Sequence, residues 1–146
     1  MINFITMKQR GFTLIELLVV IGIIAILAGI VIVAVNPGRQ FAQARNSTRS
    51  NDTRAILDSI HQNMVENAGN FTCAAGSLPT STTELGTGFY NIEACIVPTY
   101  VSRMAIDPTT GTATSTKYSV VYDPTTRRVT VSAMDPELNA TISVTR

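Results

Sequence analysis

Phe12-Thr13-Leu14-Ile15-Glu16-Leu17-Leu18-Val19-Val20-Ile21-Gly22-Ile23-Ile24-Ala25-Ile26-Leu27-Ala28-Gly29-Ile30-Val31-Ile32-Val33-Ala34-Val35 is the stretch on which the reading of this chain turns. Its 24 residues carry one charge, that of Glu16. As a helix rising ~1.5 Å per residue it reaches about 36 Å, more than the roughly 30 Å hydrocarbon core of a bilayer. Lys8 and Arg10 precede it, as basic residues precede the apolar core of a secretory signal peptide. The run is longer than the roughly 7–15 residues of such a core. It contains a carboxylate and ends in Val33-Ala34-Val35-Asn36-Pro37, without a clean small-x-small cleavage site. A membrane-spanning helix is therefore expected.

The remainder is of a different character. Over 146 residues the chain is 45% hydrophobic and 14% charged with a net charge of +1, yet from Thr72 to Arg146 23 of 75 residues are Ser or Thr. The near-neutral balance argues against a nucleic-acid domain built on a broad basic surface. One His and two Cys exclude a zinc site of the usual Cys/His spacing and a haem-attachment motif. No Gly-rich phosphate loop ends in Lys-Ser/Thr, and no paired carboxylates or Ser/His/Asp set can be assembled. The chain is read as a non-enzyme that needs no metal or cofactor.

Glu16 requires an explanation, because a carboxylate at membrane depth costs about 2–3 kcal/mol near a helix centre and is usually partnered. Either it snorkels from an interfacial position, or it neutralises a cation on another copy of the chain. The order Lys8-Gln9-Arg10-Gly11-Phe12-Thr13-Leu14-Ile15-Glu16, followed by an uninterrupted apolar helix, resembles the leader and N-terminus of type IV pilins and type II secretion pseudopilins. The resemblance implies that a prepilin peptidase cuts between Gly11 and Phe12 and methylates the new amino terminus. It also implies a homo-oligomeric helical filament. Glu16 becomes the fifth mature residue, the family's acidic position, and pairs with the Phe12 amine of a neighbouring subunit. In a low-dielectric core such a pair sets register more credibly than it adds stability. The family's assembly ATPase and membrane platform protein are the further partners implied. The expected location is the inner membrane of a bacterium for a single-pass precursor, then a cell-surface filament. Met7, five residues before the cut, is read as a candidate start, with Met1–Thr6 as an extension. A bare count of Arg39, Arg45, Arg49 and Arg54 beyond the span would place that side in the cytoplasm. The cleavage motif and the Thr-rich domain outweigh it. The competing readings are a pseudopilin of a secretion or DNA-uptake machine and a single-pass anchored binding domain that never polymerises.

The expected fold class is α+β: a long N-terminal helix, membrane-spanning in its first half and amphipathic in its second, on a small antiparallel sheet. The segments are 1–11, leader; 12–35, transmembrane and filament-core helix; 36–69, kink and amphipathic helix; 70–146, globular β-domain. Gly22, Ala25 and Gly29 recur at spacings of three and four, either as a close-packing face or as the ordinary small residues of a membrane helix. Pro37 is expected to kink the helix. Helix resumes over 39–67 with an apolar stripe of Ile56, Ile60 and Met64, widened by Leu57 and Val65, while Arg39, Gln43, Arg49 and Asp58 fall on solvated faces. His61 stands alone, a surface or packing residue, and Gly69 is a plausible cap.

Residues 70–100 read as irregular, bracketed by Cys73 and Cys95, for which an exported domain favours a disulfide. Lys117–Tyr122 and Arg127–Ala133 alternate across Asp123-Pro124-Thr125-Thr126 as a hairpin, and Thr141–Thr145 supplies a further strand with Ile142 and Val144 inward. Asp-Pro-Thr-Thr occurs at 107–110 and at 123–126, read as two turns of like chemistry. The later part distantly resembles the major pseudopilins, which bind calcium there. Asp135 and Glu137 alone fall short of the six to eight oxygens calcium takes, so no metal is expected. Asn46, Asn51, Asn70 and Asn139 each open an Asn-x-Ser/Thr triplet, a reflection of Thr abundance.

Overall fold

A computed structural model describes residues 11–146. The basic residues Lys8 and Arg10 and the candidate start Met7 lie outside the described residues. The chain divides into two compact units at Gln40/Phe41.

In the first unit, helix α1 runs from Leu14 to Val35. Thr13, in extended conformation, is its N-cap, and Asn36 ends it in the left-handed region at φ 44°. Leu, Ile, Val and Ala at nearly every position leave no polar face, and none of its residues is buried. Helix α2 begins directly afterwards, from Pro37 to Glu66. Pro37 thus occupies the first helical position, where its missing N–H is no loss and its fixed φ suits the helix. It does not clash inside a continuous helix, as a kink at Pro37 would require. The interruption is made by Asn36, which turns the backbone and caps α2, its Oδ1 accepting from the Arg39 N–H at 3.2 Å.

The second unit contains most of α2 and the sheet. The buried residues of α2 are Ala42, Arg49, Thr53, Ile56, Leu57, Ser59, Ile60 and Asn63. Their spacing follows the helical period, but the stripe is apolar only from Ile56 onward. Two sequence readings are corrected here. Val65 is 81% exposed and does not widen the stripe, because it lies around the helix from Ile60 and Met64, which pack on the core. Arg49 is fully buried instead of solvated, because two carboxylates meet it inside the fold. Beyond Glu66, Gly69 at φ 89° donates its N–H to the Met64 carbonyl and closes the helix.

Residues 70–100 contain two short elements that the Gly- and Thr-rich composition hid: strand β1, Thr83–Glu84, and a single helical turn α3, Glu93–Ile96. Strands β2 (Tyr118–Asp123), β3 (Arg128–Ala133) and β4 (Ser143–Thr145) complete the chain. The four strands form one antiparallel sheet in the order β1-β2-β3-β4. Alternation sends Tyr118, Val120, Val129 and Val131 into the core against Ile56, Leu57 and Ile60 of α2, with Leu85, Ile92 and Ile96 filling the space between. Ile142 and Val144 pack on its margin. Gly86 is needed where it stands: at φ 149°, a Cβ there would lie 2.3 Å from the Thr114 carbonyl oxygen. Cys73 and Cys95 form a disulfide that ties the start of this segment to α3.

Candidate assembly surface

Gly11 and Phe12 precede the N-cap of α1 in exposed positions. Thr13 and Glu16 then form a reciprocal cap. The Glu16 N–H donates to Thr13 Oγ1 at 3.3 Å, while Glu16 Oε2 accepts from the Thr13 N–H at 2.7 Å and from its hydroxyl at 2.8 Å. Within a single chain the carboxylate is thus met by local donors. Gly22, Ala25 and Gly29 fall on the exposed surface of α1, and a Cβ added at Gly22 or Gly29 would meet nothing within 4 Å. The whole helix presents bare apolar surface, long enough to cross a membrane.

In the second unit the dominant electrostatic feature is one that sequence inspection missed. Arg49 Nε donates to Asp107 Oδ2 at 2.6 Å and Nη2 to Asp107 Oδ1 at 3.2 Å, a two-pronged pair with neither side chain exposed. Nη1 donates to Glu137 Oε2 at 2.8 Å and to Asn46 Oδ1 at 3.0 Å, and Nη2 also reaches the Thr109 hydroxyl. Arg45, one turn earlier, forks onto Glu137 at 2.6 and 2.7 Å. Asn46 completes the set by exchanging hydrogen bonds with the Glu137 backbone. α2 is thereby bolted to the 107–110 turn and to the 134–140 loop. Burial by itself pushes the Asp107 carboxyl up; the Arg49 guanidinium and the N–H groups of Thr110 and Thr109 overcome it and hold the group well below the carboxylate range. Arg45 and then Arg49 hold Glu137 down to about 2. Among the described residues no buried side-chain polar atom lacks a partner. The signal in the sequence was faint: Arg45 and Arg49 at helical spacing, and an Asp-Pro-Thr-Thr turn with no evident reason to be repeated.

The remaining candidates stand apart from that cluster. Asp135 accepts from the Thr110 hydroxyl and Glu137 is spent on two arginines, so these acids hold side chains of the fold. His61 is half-buried; burial, then the Arg146 charge, lowers its imidazole pKa. Asn46 is engaged in the Arg49 cluster, while Asn51, Asn70 and Asn139 are exposed. An open groove of about 630 Å³ runs between α2, at Thr48, Asp52 and Ala55, and the 86–116 loops.

A family model of the prokaryotic N-terminal methylation motif matches residues 6–32. A pilin-like protein of Thermus thermophilus, PilA1, is 39% identical over 71 residues, 48% of this chain and 46% of the relative. The chain therefore spans about half the length of the curated relative it matches. No solved structure matches. Its N-terminus thus carries the prokaryotic methylation motif, and about half of the chain is similar to a pilin-like protein. An apolar N-terminal helix and this motif fit a membrane-anchored precursor.

Proposed function

We propose that this protein is the prepilin subunit of a type IV pilus-like filament, cut between Gly11 and Phe12, methylated at Phe12 and polymerised through α1. The observation that carries the reading is α1 itself: 22 residues, a single carboxylate at its start, and no residue covered by its own fold. Apolar surface left in water costs about 25 cal/mol per Å², so this helix belongs in lipid or against other helices. Moving it from one to the other gains little hydrophobic energy, since lipid is already apolar. Extraction is accordingly coupled to packing on earlier subunits, and the work comes from an assembly ATPase and a membrane platform protein. Gly22, Ala25 and Gly29 let neighbouring backbones approach closely. Glu16 exchanges its Thr13 contacts for the Phe12 amine of an adjacent copy and fixes the axial step. The precursor sits in the inner membrane and the filament reaches the cell surface.

Mass spectrometry of the N-terminal peptide from protein sheared off intact cells tests the reading. A peptide beginning at N-methylated Phe12 is expected, and a bulky residue in place of Gly11 should abolish both that peptide and the sheared material. Recovery only from membranes, with residues before Phe12 still attached, would leave a static anchor.

A further inference from the structure

The groove beside α2 and the tip of the β2–β3 hairpin carry inverse charge patterns. Asp52, Glu93 and Arg103 line the groove, two anions and one cation, set among apolar side chains such as Ile92 and Ile106. The hairpin tip carries Asp123, Arg127 and Arg128, one anion and two cations, all exposed. Glu93, Arg103, Arg127 and Arg128 form no salt bridge among the described residues. Arg127 is held at φ 57°, left-handed backbone at the turn, and Thr125 and Thr126 donate to Asp123, so the tip is a preformed shape and not a loose loop.

The two surfaces cannot meet within one molecule. Thr116, beside the start of β2, lines the groove, whereas Asp123 ends the strand. At ~3.3 Å per residue the strand holds tip and rim about 17 Å apart. Complementary patches at different places on one chain make a head-to-tail contact, and such contacts generate open helical arrays when the rotation does not close. The groove's volume lies in the range of roughly 300–1,000 Å³ typical of sites that enclose a ligand.

We propose that the β2–β3 turn of one copy docks in the α2 groove of a second copy, with Arg127 and Arg128 meeting Glu93 and Asp52, and Asp123 meeting Arg103. The contact rests on the filament reading and adds to it a lateral bond between second units. It adds an orienting contact to the packing and register that α1 supplies.

Charge reversal in the full-length chain, expressed in cells that display the filament, tests it. Glu93→Lys, and separately Arg127→Glu with Arg128→Glu, should each lower sheared filament by about tenfold or more, since like charges juxtaposed across an interface cost several kcal/mol. Cell-associated protein should keep methylated Phe12 and the Cys73–Cys95 bond, because these side chains hold nothing in the fold. Glu93→Lys combined with Arg127→Glu alone should restore most of the yield, since Arg128 then still meets Asp52. Normal filaments from either single set, or no recovery in the combination, would overturn the contact. An effect at Glu93 without one at the turn would overturn the choice of occupant in favour of a different partner. Absence of any filament from the wild type would instead remove the filament reading, and this contact with it.

Discussion

Asp-Pro-Thr-Thr is written twice in this chain, at 107–110 and at 123–126, and the two copies fold alike but are used differently. In both, the Asp carboxylate accepts from the N–H two residues on and from a nearby Thr hydroxyl, and a Pro comes directly after it. Local chemistry alone makes that turn. Asp123 is exposed and lies opposite Arg128 on an edge of the hairpin, while Asp107 is 3% exposed and carries the buried charge of Arg49. Four identical residues thus give one shape and two electrostatic roles, and what separates them is a helix some sixty residues upstream in sequence.

That difference can be broken most forcefully from the helix. Arg49→Met should destabilise the protein by about 3–5 kcal/mol, because it strands Asp107 as an unpaired buried charge. Urea unfolding of the detergent-solubilised chain reads the loss; a shift under about 1 kcal/mol would mean that the cluster is not dry and that water already shares it. Asp107→Asn keeps the turn's acceptor and removes the charge, and should cost less, about 1.5–3 kcal/mol, the worth of hydrogen bonds to a charged group. Acid sharpens the comparison further. Glu137 is depressed to about 2 in the folded chain against about 4.3 unfolded, so its contribution is present above pH ~4.3 and fades as the pH falls toward 2. Asp107, depressed further, extends the decline below that window. The urea midpoint should fall across that window in the wild type, and more shallowly in Glu137→Gln. Asp123→Asn, at the exposed turn, should leave the midpoint unmoved; a drop equal to that of Asp107→Asn would erase the distinction between the two turns.

Legibility followed the range of the forces. The β2–β3 hairpin stood in the sequence within a residue of its observed ends, because alternation and a Pro-containing turn are local signals. β1 did not, since two residues pairing with Val120 and Ser119 have no periodicity of their own. The apolar part of the α2 stripe was readable from Ile56 to Met64. Its polar continuation through Thr53 and Arg49 was not, because an arginine enters a core only when carboxylates from elsewhere in the fold are waiting for it. The helical pattern breaks at Asn36, whose left-handed backbone ends α1, and Pro37 opens α2.

The sequence by itself determined α1. An apolar run of that length with one carboxylate at its head has a single economical conformation in lipid or in a bundle, since every backbone group must be satisfied internally there. The sequence also determined the Gly11-Phe12-Thr13 entry to α1 and the two Asp-Pro-Thr-Thr turns, all local in their chemistry. Only the tertiary structure decided that Arg49 is buried, that Asp107 and Glu137 face it, and that groove and hairpin tip carry opposite charge patterns. Those outcomes depend on residues 58 to 92 positions apart being brought within hydrogen-bond reach, and no local window of sequence contains both partners.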